Sequence, residues 1–186
     1  MKKMLMINGS PRSGGNSAEI LKTIAENVKK GYECEIIDLG KLNISHCRGC
    51  MSCKKTQKCC IEDGMTALYE KIQNADAIAI ATPVYFAAET GLLKNFIDRL
   101  YALMDRGAKG YEVRSGRPKK GIIAITCGAP DGNMVYAGMM SRLTGILKTF
   151  GANDITSGII PASPAGIKDS PFMKDLMGAV GSQMSS

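Results

Sequence analysis

Several residue types are scarce in this sequence, and each shortage excludes a class of protein. The 186 residues include no tryptophan, one histidine and four phenylalanines. No known nucleic-acid motif accompanies these few aromatics, so nucleic acid is not expected as a partner. The chain also lacks an apolar run long enough to cross a bilayer, and no membrane partner is expected. The apolar run Met4–Ile7 is too short for a signal peptide, and we interpret it as a buried strand of a cytoplasmic protein.

The composition is that of an ordinary globular domain with an excess of positive charge. With 45% hydrophobic and 22% charged residues, the chain is expected to form a single domain over 1–186. The formal net charge is +7. Basic side chains recur at Arg106, Lys109, Arg114, Arg117, Lys119 and Lys120. This stretch could attract an anion such as a nucleotide phosphate or an acidic electron carrier, or it is a solvated flexible connection.

Cysteines are the most informative residues that are present. Their number is seven, an odd count that argues against a framework of disulfides. Two of them, Cys34 and Cys127, lie in apolar strand-like runs and are interpreted as buried hydrophobes. The other five fall within fourteen residues, at Cys47, Cys50, Cys53, Cys59 and Cys60. The two successive two-residue gaps let three thiolates surround one compact centre, which is typical of a [4Fe–4S] cluster.

Three interpretations of the cysteine run remain open. In the first, Cys47, Cys50 and Cys53 bind an iron–sulfur cluster, with either Cys59 or Cys60 as the fourth ligand. In the second the metal is zinc, which the overlapping spacing fits poorly, although His46 flanks the run. In the third the cysteines are free thiols and hold no metal.

Apolar runs alternate with amphipathic patterns along the chain, which predicts strands separated by helices. Five strands are predicted at Lys3–Ile7, Glu33–Leu39, Ala77–Ala81, Gly121–Thr126 and Asp154–Ile160. Helices are predicted at Ser17–Lys29, Gly64–Asn74, Leu92–Met104, Val135–Phe150 and Ser170–Val180. This alternation indicates an α/β fold, a doubly wound five-stranded parallel sheet with helices on both faces. A cysteine-rich loop, about 43–63, is inserted after strand 2, and Asp63 is a candidate N-cap of the helix that follows.

Ligands of doubly wound sheets bind beyond the carboxyl ends of the strands, so the loops after strands 1, 3 and 4 are the candidate site. The loop after strand 1 combines glycines with the donors Ser10, Asn16 and Ser17 and the cation Arg12, which suits a monophosphate at a helix N-terminus. Gly15 stands where a Walker loop needs lysine, so hydrolysis of a nucleoside triphosphate is disfavoured. An ordinary polar turn is the alternative.

The loop after strand 3 places Tyr85 and Phe86 where a flat heterocycle could lie, and Pro83 stiffens the turn. Farther along, Asp98 and Arg99 are interpreted as a structural pair rather than a catalytic one. Three segments together, Gly9–Ser17, Thr82–Phe86 and Leu93–Arg99, resemble the NAD(P)H-dependent FMN reductases of the flavodoxin-like superfamily. The cysteine run after strand 2 is similar to that of the iron–sulfur flavoprotein branch of this family.

The resemblance covers roughly residues 2–160 and implies FMN as a cofactor. Its phosphate would contact Ser10, Arg12, Asn16 and Ser17, and its ring would rest on Pro83, Val84, Tyr85 and Phe86. A further contact is implied around Cys127, Gly128 and Ala129. The family pattern favours Cys59 over Cys60 as the fourth ligand of the cluster formed with Cys47, Cys50 and Cys53. The resemblance also implies a homodimer or homotetramer.

The function expected from these observations is that of a flavin-dependent oxidoreductase. Electrons would pass between NAD(P)H or a ferredoxin-like carrier and an acceptor through FMN and the [4Fe–4S] cluster. The sequence suggests no protein general acid or base. The alternatives are a cluster-free NAD(P)H-dependent FMN or quinone reductase and a non-enzymatic carrier of flavodoxin type. Such carriers are generally acidic, and the net charge of +7 argues against the last alternative.

Overall fold

The computed structural model of this chain describes residues 1–107, 110–114, 117–128, 136–162 and 166–185. The strands are β1 (Lys2–Asn8), β2 (Tyr32–Asp38), β3 (Ala77–Pro83), β4 (Met104–Gly107), β5 (Gly110–Val113), β6 (Lys119–Cys127) and β7 (Ala152–Pro161). The helices are α1 (Asn16–Val28), α2 (Ser52–Thr56), α3 (Thr66–Asn74), α4 (Gly91–Arg99), α5 (Ala137–Thr149) and α6 (Pro171–Ser185). Short 3₁₀ turns follow β2 at Leu39–Lys41 and α4 at Leu100–Leu103.

Five of the strands form a parallel sheet in the order β2-β1-β3-β6-β7. In this order β1 lies between β2 and β3, although β3 follows β2 in the chain, so the connections leave on both faces. Asn8 pairs with Ala81, and Pro83 pairs with Thr126. The carboxyl ends of β1, β3 and β6 therefore meet at one edge of the sheet. The predicted doubly wound parallel sheet is confirmed.

The core consists of two apolar layers, one on each face of the sheet. Alternate residues of β1 point to opposite faces, as the pleat of a strand requires. Met4 and Met6 pack with α1 and α6, whereas Leu5 and Ile7 pack with α3, α4 and α5. All four β1 residues are buried, which explains why strand 1 reads as a continuous apolar run. Cys127 is buried as predicted, while Cys34 is half-buried.

Two predicted elements differ from the structure. The helix predicted at Leu92–Met104 ends at Arg99 and tightens into the 3₁₀ turn, which still buries Leu100 and Leu103 in the core. The apolar spacing therefore continues although the α-helix does not. The stretch predicted to be a flexible connection contains the antiparallel hairpin β4–β5, so that prediction is wrong. Arg114 stabilises the hairpin through a bidentate ion pair with Asp105.

Other differences are smaller. The helix α2 inside the cysteine loop was not predicted, and α6 extends five residues beyond the predicted Val180. The predicted start of α5 at Val135 lies outside the described residues, which place its first turn at Ala137. Within the described ranges, no helix has both the length and the apolar character needed to cross a membrane.

Candidate functional site

A cavity of about 350 Å³ opens at the edge of the sheet where β1, β3 and β6 end. The loops after these strands form its walls, as expected for a doubly wound sheet. The cavity is lined by Ser10, Arg12, Gly15, Asn16, Ser17, Pro83, Val84, Tyr85, Thr126, Cys127, Gly128 and Ala162. Every residue predicted to contact FMN is in this set except Phe86. Ala129, which was also implied, lies outside the described residues.

The loop after β1 is held in shape by its own side chains. The Asn8 side-chain oxygen accepts a hydrogen bond from the Ser10 amide at 3.1 Å, and the Ser10 hydroxyl accepts one from the Arg12 amide at 3.1 Å. The Gly15 amide then donates to the Arg12 carbonyl at 3.2 Å. These bonds bring the loop back over the end of the sheet, and α1 begins at Asn16. The first amides of α1 have no partner within the helix and attract anions.

Ser17 has an unusual environment in this wall. Its side chain is only 1% exposed, and its hydroxyl has no hydrogen-bond partner among the residues that the structure describes. A buried polar atom without a partner costs about 1–3 kcal/mol. Because Ser17 also lines the cavity, a ligand oxygen in the cavity would satisfy its hydroxyl. The exposed Arg12 on the same loop would supply positive charge. The wall therefore fits a phosphate group.

The loop after β3 forms the opposite wall and contains a tight turn. The Val84 amide donates to the Thr126 carbonyl at 2.9 Å, which fixes the start of the loop against β6. Tyr85 and Ala88 exchange two backbone hydrogen bonds across the turn. The two residues between them have positive φ, 49° at Phe86 and 60° at Ala87. Such turns favour glycine or asparagine, so these residues hold local strain.

The position of Phe86 differs from the prediction. Its side chain has a relative exposure of 106% and does not line the cavity. The left-handed backbone turns it into solvent, whereas Tyr85 is partly exposed at the cavity rim. In this structure Pro83, Val84 and Tyr85 are the residues of this loop that form the wall.

Two further contacts that sequence reasoning missed hold the loops in place. Thr90 donates from its hydroxyl to the Gly9 carbonyl at 2.6 Å and accepts from the Leu93 amide at 3.1 Å. Its position before α4 is an N-cap signal that could have been recognised. The buried Glu89 forms a bidentate ion pair with Arg142 of α5. Nothing in the sequence predicts that pair, because 53 residues separate its members.

The cysteine loop lies between β2 and α3, and a buried ion pair joins its two ends. Arg99 is 1% exposed and Asp63 is 6% exposed. The guanidinium binds both carboxylate oxygens of Asp63, at 2.6 and 3.2 Å. It also donates to the Ser45 carbonyl at 3.0 Å and to the Ile61 carbonyl at 3.1 Å. Arg99 is thus structural, as predicted, but its partner is Asp63, whereas Asp98 pairs with the exposed Lys94.

The carboxylate of Asp63 organises the same region. It accepts hydrogen bonds from the amides of Ser45 and Met65, both at 2.9 Å. Burial by itself would raise the pKa of Asp63, but the hydrogen bonds from Arg99, Met65 and Ser45 outweigh burial and the pKa is lowered. The N-cap of α3 is Met65 rather than the predicted Asp63, because the helix begins at Thr66, two residues later than predicted. The Asp63 carboxylate instead holds the turn before the helix through the Met65 amide.

The five clustered cysteines lie on the exposed part of this loop. Cys50 and Cys60 approach each other to 3.5 Å between their sulfurs. Cys47, Cys50 and Cys60 are exposed, while Cys53 and Cys59 are half-buried. In the described part of the chain no three side chains of histidine, cysteine, aspartate or glutamate are close enough to hold a metal ion. The donor types fit a cluster, but only one pair of thiols is in contact.

The hairpin β4–β5 and the turn before it support the cysteine loop from the side. Lys54 of α2 lies 3.6 Å from the centre of the Tyr101 ring and donates to the carbonyls of Tyr101 and Met104. Arg114 donates to the Gln57 carbonyl at 2.6 Å while it binds Asp105. Lys54 and Arg114 thus attach the cysteine loop to the hairpin β4–β5 and the turn before it, and the sequence did not predict this hairpin.

The chain is similar to several known proteins. The family described as NADPH-dependent FMN reductase matches residues 2–159. An iron–sulfur flavoprotein of Archaeoglobus fulgidus is 49% identical over 98 residues, 52% of this chain and 48% of that protein. An iron–sulfur flavoprotein of Clostridioides difficile is 28% identical over 166 residues, 83% of this chain and 71% of that protein. The chain spans about half the length of the archaeal relatives that it matches.

Among solved structures, an FMN-dependent NADH-azoreductase from Bacillus anthracis in complex with FMN superposes with a TM-score of 0.69. The match covers 100% of this chain and 98% of that one at 16% identity. At this level of identity the likeness shows the fold alone.

Proposed function

The chain belongs to the NADPH-dependent FMN reductase family, and from this we propose that it is an FMN-dependent oxidoreductase. In this proposal it takes electrons from NAD(P)H or from a ferredoxin-like carrier and passes them to an acceptor. The observation that carries the proposal is the unpartnered Ser17 hydroxyl, which is buried in the wall where the sequence motif predicts a phosphate. A polar atom left without a partner at that point is readily explained by a bound anion.

The residues of the chain would bind and orient the cofactor. Ser10, Asn16 and Ser17 would donate hydrogen bonds to the phosphate, and Arg12 would contribute charge. Pro83, Val84 and Tyr85 would border the ring on one side, and Gly128 would border it on the other. Bound FMN would supply the electron chemistry, since it exchanges electrons singly or in pairs. The chain needs no acid or base of its own in this scheme.

A titration with two ligands tests the phosphate assignment. Arg12→Ala is expected to weaken FMN binding by about tenfold or more, because hydrogen bonds to charged groups contribute about 1.5–3 kcal/mol. Riboflavin, which lacks the phosphate, should bind both forms equally. Lys22→Ala, which removes an exposed charge from the adjacent helix, is the control and should leave both affinities unchanged. Equal FMN affinity of Arg12→Ala and the unmodified protein would contradict the assignment.

We propose a [4Fe–4S] cluster as a second redox centre, held by Cys47, Cys50, Cys53 and Cys59. The support is the spacing of the cysteines and the name iron–sulfur flavoprotein carried by the relatives. The contact between Cys50 and Cys60 keeps Cys60 as the alternative fourth ligand. When bound, the cluster would exchange single electrons. Iron and acid-labile sulfide should be measured in anaerobically purified Cys59→Ser and Cys60→Ser variants. The variant that loses the cluster identifies the ligand.

A cluster-free reductase of FMN or quinones is the second candidate. The observation in its favour is that the thiols of the described chain are not gathered around one point. Turnover with NADH or NADPH in a protein without iron would support it. A carrier of flavodoxin type is less favoured, because the net charge is +7. Absence of any turnover with nicotinamide or quinone, with rapid electron exchange between redox proteins, would support the carrier.

We also propose that a carrier of the ferredoxin type docks at the cysteine loop. Arg48, Lys55 and Lys58 are exposed among the cysteines, and this charge suits an acidic partner. The electron-transfer rate should fall as ionic strength rises, and a rate independent of salt would count against this docking. A homodimer or homotetramer, which the resemblance to the family implies, is proposed as the assembly. Sedimentation velocity would test it.

A further inference from the structure

Arg99 has more partners in the cysteine loop than a residue needed only for packing would require. Its four terminal hydrogen-bond donors reach the Ser45 carbonyl, the Ile61 carbonyl and the two oxygens of Asp63. Ser45 comes two residues before the first clustered cysteine, and Ile61 comes directly after the last. One buried guanidinium therefore joins the start of the loop to its end.

We propose that Arg99 is a positioning residue for the cysteine centre. With Asp63, it holds both ends of the loop together before any metal arrives, so that the thiols need little ordering when they bind a cluster. The inference rests on the proposed cluster, but the closure of the loop itself does not. Arg99 touches the loop backbone and acts on the thiols through it.

The energetics of a buried ion pair indicate that Arg99 and Asp63 hold the cysteine loop in place rather than serve mainly to stabilise the whole fold. Taking two charges out of water is costly, and apolar side chains of similar volume often give equal stability. A buried pair is therefore poor evidence for stability alone. Here the hydrogen bonds from the terminal nitrogens of Arg99 all go to residues at the two ends of the cysteine loop. Asp63 also contacts both ends, because it accepts hydrogen bonds from the amides of Ser45 and Met65. Holding the ends removes part of the entropy that the loop would lose on binding a metal.

Arg99 also accepts a hydrogen bond through its backbone carbonyl. The Tyr69 hydroxyl donates to the Arg99 carbonyl at 3.3 Å. The Arg99 Nε–H is buried and has no acceptor among the described residues. Tyr69 of α3 is thus joined to Arg99 at the end of α4.

The test compares Arg99→Lys with Arg117→Lys. Lysine keeps the charge but cannot reproduce the fork. Arg117 also pairs with a carboxylate, Asp76, and a backbone carbonyl, that of Asn74, but it is half-exposed and contacts no residue of the cysteine loop in the described chain. After anaerobic reconstitution, the loss of visible cluster absorbance in the presence of a chelator is followed. The FMN affinity of each variant is measured in parallel.

We expect the cluster of Arg99→Lys to decay about tenfold faster or more, because removing the partners behind metal ligands weakens metal binding about 10–100-fold. FMN affinity should stay within twofold of the unmodified protein, which a general loss of stability would not allow. Arg117→Lys should match the unmodified protein in both measurements. Cluster lifetimes equal within twofold in a folded Arg99→Lys variant would overturn the proposal.

A measurement on the unmodified protein covers the case in which Arg99→Lys does not fold or no cluster forms. In the metal-free protein, hydrogen exchange at the amides of Ser45 and Met65 should be at least about a hundredfold slower than at the exposed amides of 47–58. Equal exchange would show that the ends are not held and would overturn the inference. If the unmodified protein takes up no iron while these amides are protected, the proposed cluster fails but the closure of the loop stands.

Discussion

The hydroxyl of Thr90 donates a 2.6 Å hydrogen bond to the carbonyl of Gly9. This bond joins the loop after β1 to the start of α4, so the two walls of the cavity do not move independently. The approach is close, because a Cβ added to Gly9 would lie 3.1 Å from the Cβ atoms of both Leu93 and Thr82. The site therefore depends on a residue that does not line the cavity.

Thr90→Val should weaken both the helix and the site. The substitution removes the N-cap of α4 and the bond to Gly9, and the loss of an N-cap costs about 1 kcal/mol of unfolding free energy. We expect that destabilisation together with weaker FMN binding, measured by urea unfolding and by flavin fluorescence. Thr23→Val is the control, because the Thr23 hydroxyl donates only to Glu19 within α1. Unchanged FMN affinity in Thr90→Val would show that the walls hold without this bond.

Ser17→Ala should change stability and binding in opposite directions. The Ser17 hydroxyl is buried without a partner, so its removal should leave the metal-free, flavin-free protein as stable as before or more stable by about 1 kcal/mol. FMN should bind about tenfold more weakly, because a hydrogen bond to the phosphate is lost. Ser13→Ala, on the exposed part of the same loop, should alter neither quantity. A fall in the stability of the flavin-free Ser17→Ala protein would mean that the hydroxyl already has a partner.

The Arg99–Asp63 pair should make stability fall in acid. The pKa of Asp63 is lowered in the folded protein, so the folded form binds this proton less readily than the unfolded form. Its contribution is then complete above the ordinary value near 3.8 and is lost as the pH falls through the lower folded value. Urea unfolding from neutral pH down to about pH 3 would measure this loss.

Asp63→Asn should reduce the pH dependence of the unfolding free energy. At neutral pH it should lower that free energy by about 3 kcal/mol or more, since it breaks a buried ion pair. Asp98→Asn breaks the exposed pair with Lys94 and should cost about 0–1 kcal/mol. If the unfolding free energy of Asp63→Asn falls in acid by as much as that of the unmodified protein, another carboxylate causes the pH dependence.

Relieving the strain in the turn after β3 should raise the free energy of unfolding. Phe86 and Ala87 both have positive φ, which asparagine and glycine adopt with little cost. The double substitution Phe86→Asn and Ala87→Gly is expected to raise the unfolding free energy by about 1 kcal/mol. Phe86→Leu with Ala87 unchanged keeps the strain and should give no gain. A double variant less stable than the unmodified protein would show that Phe86 is covered by another surface in solution.

The sheet could be predicted because its central strands are buried on both faces. β3 begins with the apolar run Ala77–Ala81, and because helices cover both of its faces it lacks the apolar–polar alternation of a surface strand. That the loop after β1 lines the cavity was also predictable, since glycines and hydroxyl donors occur together between a strand and a helix. These features are local, so a single stretch of sequence contains them.

Features that depend on distant residues were not predictable. The four-residue strands β4 and β5 contain the charged Asp105, and they are stabilised by Arg114 nine positions later. Arg99 was expected to be structural, but its partner Asp63 lies 36 residues earlier. Phe86 was placed against the cofactor because aromatic rings suit a flat ring. The backbone of the turn, which the sequence does not reveal, directs it into solvent instead.

The ion pair beneath the cysteine loop recognises its ends through backbone carbonyls at Ser45 and Ile61. Every residue type offers the same carbonyl, so this attachment does not depend on which residues occupy 46–60. Segments of other lengths and compositions could therefore be grafted between these two points while the rest of the fold stays intact. Such exchange would allow the same scaffold to carry a different loop, including one without the proposed cluster, while the cavity at the ends of β1, β3 and β6 stays unchanged.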